Sequence, residues 1–394
     1  MSVSSTYRLS IFDSIDDGHH TDYLAYLIHQ FSQKPDVELL LIVPESFIQS
    51  FKKNRQIWGF DLGNNIHFHP LDAPTVQRLH GQSIYKRSLA EWNLYVDISE
   101  AWEASHGLLM YFDYFQLGML FGKKAHFQLG GIYFRPNFYY RKASWTSAFI
   151  KKWMLRLSTF RSSMKVLFSL DHKAVKHIRP LLGKTQVLRI SDPVRAYEVS
   201  AEELSAFREQ WHIPANKKVC LIFGYLDPRK GIEAFMQATQ HLTADELSQI
   251  CLLVAGAISP AYQAHLEKLF QQFPEVEVIP IFQEIKGKDI QLCFEAADLV
   301  LMLYQNHVGM SSVLVRASIS QKVVLGTHYG LLGKLIQSMQ LGLVVDAQNP
   351  IQIAEQLEQF LNLGIGYSKE QMEKMAHENS ELAFANTLYQ GLFL

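Results

Sequence analysis

The chain has 394 residues, enough for two or three domains, each with its own core. Hydrophobic residues make up 48% and aromatics 12%, which excludes a disordered or low-complexity protein. The formal net charge of −1 argues against a general nucleic-acid binder. Cys220, Cys251 and Cys293 fall in apolar surroundings without metal-ligand spacing, as expected of small core residues in a reducing compartment. No signal-like N-terminal pattern and no apolar run of bilayer length is visible, so a cytoplasmic protein is expected.

The predicted elements alternate along the chain. Residues 7–12 read as a strand, followed by a polar turn from Asp13 to Gly18 and then His19 and His20. Residues 21–31 carry Leu24, Leu27, Ile28 and Phe31 at helical spacing. Residues 37–43 are apolar apart from Glu38, the pattern of a parallel strand covered on both faces. A third strand is expected at 66–69 and a helix, broken in the middle, over 75–104. Residues 107–112 read as another buried strand, ending at Asp113. Strands at 130–134, 165–170 and 186–190 and a helix near 144–160 continue the alternation, which implies a mostly parallel, doubly wound sheet. Residues 149–157 mix Lys151, Lys152 and Arg156 with Trp153 and Leu155. Such a helix either packs on the sheet with its cations outward or lies on an anionic membrane. Its apolar residues are spread too evenly for a clean stripe, which favours packing.

Residues 196–217 are polar, hold a helix around 202–210 and are expected to link two domains, 1–195 and 218–365. Beyond them the alternation restarts. Strands are expected at 219–223, 250–255, 276–279, 299–303, 323–325 and 343–345, and helices at 260–270, 289–296, 312–320 and 351–361. Residues 366–394 look helical and are expected to pack back toward the first domain. The fold class is α/β, with two Rossmann-like lobes whose parallel sheets face a central cleft and bind ligands at the carboxyl ends of their strands.

The loop 223–231 holds Gly224, Gly231 and the adjacent cations Arg229 and Lys230 between a strand and a helix. A helix N-terminus offers free N–H groups and the positive end of a dipole, and the two cations add full charges. A tight turn with two solvated cations uses the same ingredients. Three further loops follow strands of the same lobe. One carries Gly256, the next Phe282 and Glu284, and the last runs from Tyr304 to Ser312. In that last loop Gly309 lets a ligand approach the backbone, and Ser311 or Ser312 caps the helix that opens after Met310. A diphosphate placed there meets N–H groups from one loop and Arg229 and Lys230 from the other. In the first lobe Gly18 and His19 follow the first strand, Asp113 and Tyr114 end a central strand, and Arg135 follows another. These are candidate acceptor contacts. Helix-start histidines in solvent, an N-cap aspartate and a solvated loop are the structural alternatives.

From Val219 to Leu361 the chain resembles the donor-binding lobe of retaining glycosyltransferases of the GT-B fold, the family 4 or group 1 type. The resemblance rests on the order of a strand, Gly224, Lys230-Gly231, Val254-Ala-Gly256, Ala297-Asp298, the Gly309 helix start, Arg316-Ala317, Gln321-Lys-Val-Val324 and Gly330. The first half fits that family's acceptor lobe by architecture. Two positions depart from the pattern. The family has Arg just after the first glycine, where this chain has Tyr225, and a pair of glutamates where this chain has Val308 and Arg316.

The resemblance implies a sugar transferred from a nucleotide-diphosphate-sugar to an acceptor hydroxyl with retention and without a metal, in glycan or glycoconjugate synthesis. The nucleotide-sugar is then a substrate, and no cofactor or metal is implied. By the same resemblance Arg229, Lys230 and His19 are the candidate catalytic groups. Gly224, Tyr225, Gly256, Phe282, Glu284, Gly309, Met310, Ser311, Ser312 and Arg316 are the candidate donor contacts. The acceptor is a carbohydrate or glycoconjugate. A lipid-linked acceptor and peripheral contact with the inner face of a membrane are compatible with it; nucleic acid is not an expected partner. Two other functions stay open. One is a non-catalytic glycosyltransferase-like subunit that binds a nucleotide or a partner protein. The other is an inverting or isomerising GT-B enzyme, which needs a base such as His19 or Asp113.

Overall fold

The computed structural model describes residues 6–16, 18–53, 62–134, 145–170, 172–307 and 309–394. The chain forms two compact units, Met1–Pro193 with Glu381–Leu394, and Val194–Ser380. The first contains seven parallel strands: β1 Tyr7–Phe12, β2 Val37–Pro44, β3 Ile66–Leu71, β4 His106–Leu109, β5 Gln128–Tyr133, β6 Met164–Ser169 and β7 Gln186–Arg189. Their order is β3-β2-β1-β4-β5-β6-β7. In β2 only Glu38 is not buried, so both faces of this inner strand are covered, as its continuous apolar run demands. The helix Ile84–Ala101 drives Trp92 and Tyr95 into the core. The Tyr95 hydroxyl donates to the Ser10 carbonyl at 3.1 Å and accepts from Ser10 Oγ at 3.2 Å, so its burial leaves no polar group stranded.

The second unit holds β8 Lys218–Phe223, β9 Ile250–Ala255, β10 Val278–Ile281, β11 Leu299–Met302, β12 Val323–Thr327 and β13 Gly342–Val345, in the order β10-β9-β8-β11-β12-β13. All pairings are parallel. Alternate residues of β8 feed two cores. Val219 and Leu221 enter one, Cys220 and Ile222 the other. All three cysteines are buried and free, and Cys220 and Cys251 enter different cores.

Several boundaries differ from expectation. The strand expected at 107–112 stops at Leu109, and Phe112–Phe121 is a helix. Aromatic β-propensity suggested a strand, but Phe112, Phe115 and Met119 share one helical face, and all three join the core that holds Trp92. The segment 196–217 is not a bare connector. Its helix Ala201–Gln210 opens with a Ser200–Glu203 capping box and buries Phe207 in the second unit. Arg208 Nη2 donates to the Ala296 carbonyl at 2.8 Å, tying that helix down. The C-terminal helix is two helices, Lys369–Glu378 and Glu381–Phe393. The former seats Met372 and Met375 in the second unit; the latter seats Phe384, Leu388 and Leu392 in the first. The helix Trp145–Arg161 turns Lys151, Lys152 and Arg156 outward as expected, yet several of its large apolar side chains face outward too. Among the described residues no helix is long and apolar enough to cross a membrane.

Trp92→Ala is expected to lower stability by about 3–5 kcal/mol through the cavity it opens. Urea unfolding followed by circular dichroism measures this; a loss below the range would mean that the core closes around the gap.

Candidate functional site

In the second sheet the chain steps from β8 to β9 to β10, then returns to the other side of β8 to form β11. The loops leaving β8 and β11 therefore diverge from adjacent strands, and a crevice opens between them at the strands' carboxyl ends. These are the loops that carry Arg229, Lys230 and Gly309. The β8 loop is held in a tight path. Asp227 accepts from the Arg229 N–H at 2.9 Å and starts a single 3₁₀ turn, Pro228–Lys230. Gly231 then takes a left-handed φ of 78°, and a Cβ there would lie 2.3 Å from the Leu303 carbonyl oxygen. At the end of β9, Gly256 has φ 150°, and its Cβ would lie 1.8 Å from the Gly224 carbonyl oxygen. Both contacts are backbone on backbone, so neither can yield to a side chain.

Lys230 is buried, with 6% of its surface exposed. Its ammonium donates to the Phe223 carbonyl at 2.7 Å and to the Tyr304 hydroxyl at 3.2 Å, and it sits 4.7 Å from the Tyr304 ring centre. Those bonds use two of its three N–H groups. No carboxylate among the described residues pairs with it. Arg229 is more exposed and leans toward Asp227 at 3.6 Å. Arg229 Nη1 also donates to His307 Nδ1 at 3.2 Å, while His307 Nε2 donates to the Met310 carbonyl at 3.1 Å. The two bonds select one neutral tautomer of His307. Burial holds its imidazole below the ordinary value; the bond to Met310 offsets part of that, and the charges of Arg229 and Lys230 add to it. The Gln305 N–H donates to the Arg229 carbonyl at 2.8 Å, so three bonds join the two loops, this one with Lys230–Tyr304 and Arg229–His307.

At the other side of the crevice, Ser311 caps the helix Ser312–Ile319 by accepting from the Val313 N–H at 3.3 Å. The Tyr304 hydroxyl lies 3.4 Å from Ser311 Oγ. No atom lies within 4 Å of where a Cβ on Gly309 would be, so the backbone there is open to approach. Arg316 lies one turn beyond Ser312 on the same helical face. Its Nη1 is buried without a hydrogen-bond partner, and no carboxylate among the described residues pairs with the group. Val308 lies outside the described residues. Gly224, Arg229, Lys230, Gly309, Met310, Ser311 and Ser312 thus gather on the β8 and β11 loops, with Arg316 on the helix that follows. Gly256 supports the β8 loop from beneath. Tyr225 is exposed. Phe282 and Glu284 follow β10, two strands and about 10 Å from β8. Phe282 packs on the core, and Glu284 pairs with Lys286 at 2.8 Å on the surface.

The first sheet has its own switch point, between β1 and β4. Gly18 and His19 open the helix Gly18–Ser32, but their side chains lie outside the described residues. The structure presents His20 instead. Its Nδ1 lies 2.7 Å from the buried Asp13 carboxylate, and its ring stacks on Tyr111 at 4.0 Å. Burial raises the Asp13 pKa, with the His20 bond pulling the other way. Asp113 does not cap a helix; its Oδ2 accepts from the Phe134 N–H at 2.8 Å and fixes the end of β5. The Tyr114 hydroxyl is shut in beside Glu91, and burial raises its pKa strongly. Arg135 lies outside the described residues. A second cluster was not visible in the sequence. Arg87 Nε donates to Glu91 at 2.8 Å, and Arg87 Nη2 contacts Ser14 Oγ at 2.9 Å and His80 Nε2 at 2.8 Å. Ser14 lies 77 positions from Glu91, and only the sheet topology joins them. Among the described residues no group of three or more His, Cys, Asp or Glu side chains could hold a metal ion.

Residues 205–381 match the family described as Glycosyl transferases group 1. No curated protein sequence matches the chain. Solved structures do. A glycosyltransferase from Rickettsia africae superposes with a TM-score of 0.71 at 13% identity, covering 98% of each chain. HepE from Anabaena, in complex with UDP, gives 0.68 at 13% identity over 98% of this chain and 99% of its own. Sucrose-phosphate synthase from Thermosynechococcus elongatus gives 0.67 at 15% identity over 98% of both. At such identities the likeness is one of fold, the two Rossmann-like units of GT-B proteins. The match to the group 1 glycosyltransferase family falls on the second unit.

Gly256→Ala is expected to cost about 2–4 kcal/mol, because the positive φ and the backbone contact cannot both be kept. A thermal melt within a degree of wild type would show that the two loops can separate freely. Burial holds the His307 imidazole below its ordinary value in the fold, whereas the unfolded chain takes up a proton at about pH 6.5. Stability contributed through His307 is therefore present above that pH and falls as the pH drops below it. Melting temperatures between about pH 7.5 and about pH 5.5 should fall less steeply in His307→Gln than in the wild type. Equal slopes would mean that the imidazole protonates freely in the fold.

Proposed function

We propose that the β8 and β11 loops bind the diphosphate of a nucleotide-sugar and that the protein transfers the sugar to an acceptor hydroxyl with retention. One observation carries this, the buried Lys230 ammonium with no carboxylate partner among the described residues. A cation left unpaired in the interior costs several kcal/mol, and a phosphate oxygen supplies the missing charge. Arg229 stands at the mouth of the same crevice, and the first turn of the Ser311-capped helix offers N–H groups to the same ligand. Arg316 Nη1 is a further donor in need of an acceptor. By spacing it stands where the resembled family has its second glutamate, so a cation here would replace a carboxylate that holds the donor's ribose hydroxyls. The group 1 match supports the assignment, and the UDP bound to HepE makes uridine diphosphate the first ligand to test.

Departure of the nucleoside diphosphate builds negative charge on its terminal phosphate. Lys230, Arg229 and the helix N–H groups stabilise that charge in place, and their geometry is fixed before the reaction begins. The acceptor hydroxyl attacks from the face the diphosphate leaves, and a phosphate oxygen takes its proton. The cations do the electrostatic work, so no metal is required. The acceptor is a carbohydrate or glycoconjugate.

UDP at about a hundred times its Kd should stabilise the fold by about 2.7 kcal/mol, read as a rise in melting temperature. No rise with any nucleoside diphosphate at saturating concentration would overturn the donor site. Lys230→Ala with Arg229→Ala should remove both that rise and transfer, with kcat falling by about 10²–10³ or more. Full activity in the double variant would refute the phosphate role. Faster transfer by Arg316→Glu would show that Arg316 is no phosphate ligand.

The Asp13–His20 pair favours one second reading, an inverting or isomerising enzyme with His20 as base. Proton NMR of the first-formed product separates the two. Retained anomeric configuration and near-normal turnover in His20→Ala support retention; inversion and loss of turnover support the base.

A further inference from the structure

The helix Trp145–Arg161 is built the wrong way round for a helix of a water-soluble unit. Its inward face is small and hydroxylated. Ser158 and Thr159 are buried beside Leu155, as is Ser162 just past the last turn. They satisfy themselves within the helix, Ser158 and Thr159 donating to the Leu155 carbonyl at 3.1 and 2.8 Å and Ser162 to the Ser158 carbonyl at 2.6 Å. Four of its large apolar side chains point to solvent. Phe160 is 89% exposed, Ile150 57%, and Trp153 and Leu157 46% each. At 3.6 residues per turn these four lie within about 80° of arc, one continuous stripe along the helix. Phe149 borders it, 6.0 Å from Trp153. An amphipathic helix normally buries such a stripe, and a contiguous exposed one marks a binding surface.

Charge identifies the partner. The helix carries Lys151, Lys152, Arg156 and Arg161 and no carboxylate, in a chain whose net charge is −1. Arg156 and Arg161 flank the stripe on opposite sides, Arg161 at its C-terminal end, and Lys151 and Lys152 are exposed near its N-terminal end. Arg156 reaches over the Trp153 ring, 5.8 Å from its centre, keeping its charge at the stripe's border. Aromatic and aliphatic side chains bordered by cations match the boundary of an anionic bilayer, where rings enter the acyl region and the cations meet phosphates. A helix too short and too charged to span can lie in that plane.

We infer that the outward face of Trp145–Arg161 docks the protein, reversibly and in the plane of the helix, on an anionic membrane surface. The donor site plays no part in this, so the two fail independently. Flotation of the full chain with vesicles tests it without any substrate. The protein should float with equimolar phosphatidylglycerol and phosphatidylcholine, and much less with phosphatidylcholine alone. Ile150→Gln, Leu157→Gln and Phe160→Gln combined keep good helix formers at exposed positions and should lower partitioning at least about tenfold. Arg156→Gln with Arg161→Gln should lower it about fivefold per charge, and added salt should mimic that loss. Circular dichroism and thermal melts of both variants should match the wild type. Failure of the folded wild type to float with anionic vesicles would overturn the proposal, as would equal flotation of the triple-glutamine variant. Sedimentation decides the protein-partner case. A concentration-dependent dimer that the triple-glutamine variant abolishes, without vesicle binding, would assign the face to a second copy of the chain and overturn the membrane.

Discussion

A positive charge buried without a negative one is the constraint around which the second unit is arranged. Lys230 is held by a carbonyl, a phenol and the face of the same phenol ring, all of which are dipoles or quadrupoles. Such partners soften the cost of burial without cancelling the charge. Glycines on both sides of the loop bring backbone within contact of backbone, so the main chain from which Lys230 projects is held against β9 and β11. The ammonium itself is met by dipoles alone among the described residues.

Much of this was legible in the sequence because it is local. The paired cations and the glycines lie within eight residues just after a strand, and the loop after β11 announces itself by a strand, a glycine and a capping serine. That both loops lie at the carboxyl edge of one parallel sheet followed from the alternation and the general rule for doubly wound sheets, whereas the strand order that makes them neighbours came from the structure. What stayed hidden depended on contacts between distant residues. The burial of Lys230 needs Tyr304, 74 positions away. Whether His19 or His20 meets Asp13 depends on the phase of a helix start, which composition does not set. Arg87, Glu91, His80 and Ser14 look like ordinary surface residues until the helix Ile84–Ala101 is laid beside β1. Element boundaries slipped where propensity and packing disagreed, as in the aromatic run after β4, which is strand-like in composition and helical in its burial.

The helix Trp145–Arg161 shows a different limit. Hydrophobic periodicity reports that a helix has two faces, but not which of them is inside. Here serines and a threonine turn inward, where their hydroxyls bond to the helix's own carbonyls and so cost little to bury. The larger apolar face is thereby released to solvent. Small polar residues at helical spacing are as good a marker of a buried face as leucines are, provided that each can bond back to its own helix.

The last helix, Glu381–Phe393, has a consequence for the order in which the molecule can be made. Phe384, Leu388 and Leu392 complete the apolar core that begins with Leu9 and Ile11, and Lys165 Nζ donates to the Leu392 carbonyl at 3.0 Å. On a ribosome the first unit emerges early but lacks a wall until the final residues appear, after the whole of the second unit has been synthesised. The half made first is therefore finished last. Until then a strip of its sheet is left to water or to a chaperone, while the second unit has all of its own segments and can fold ahead of it.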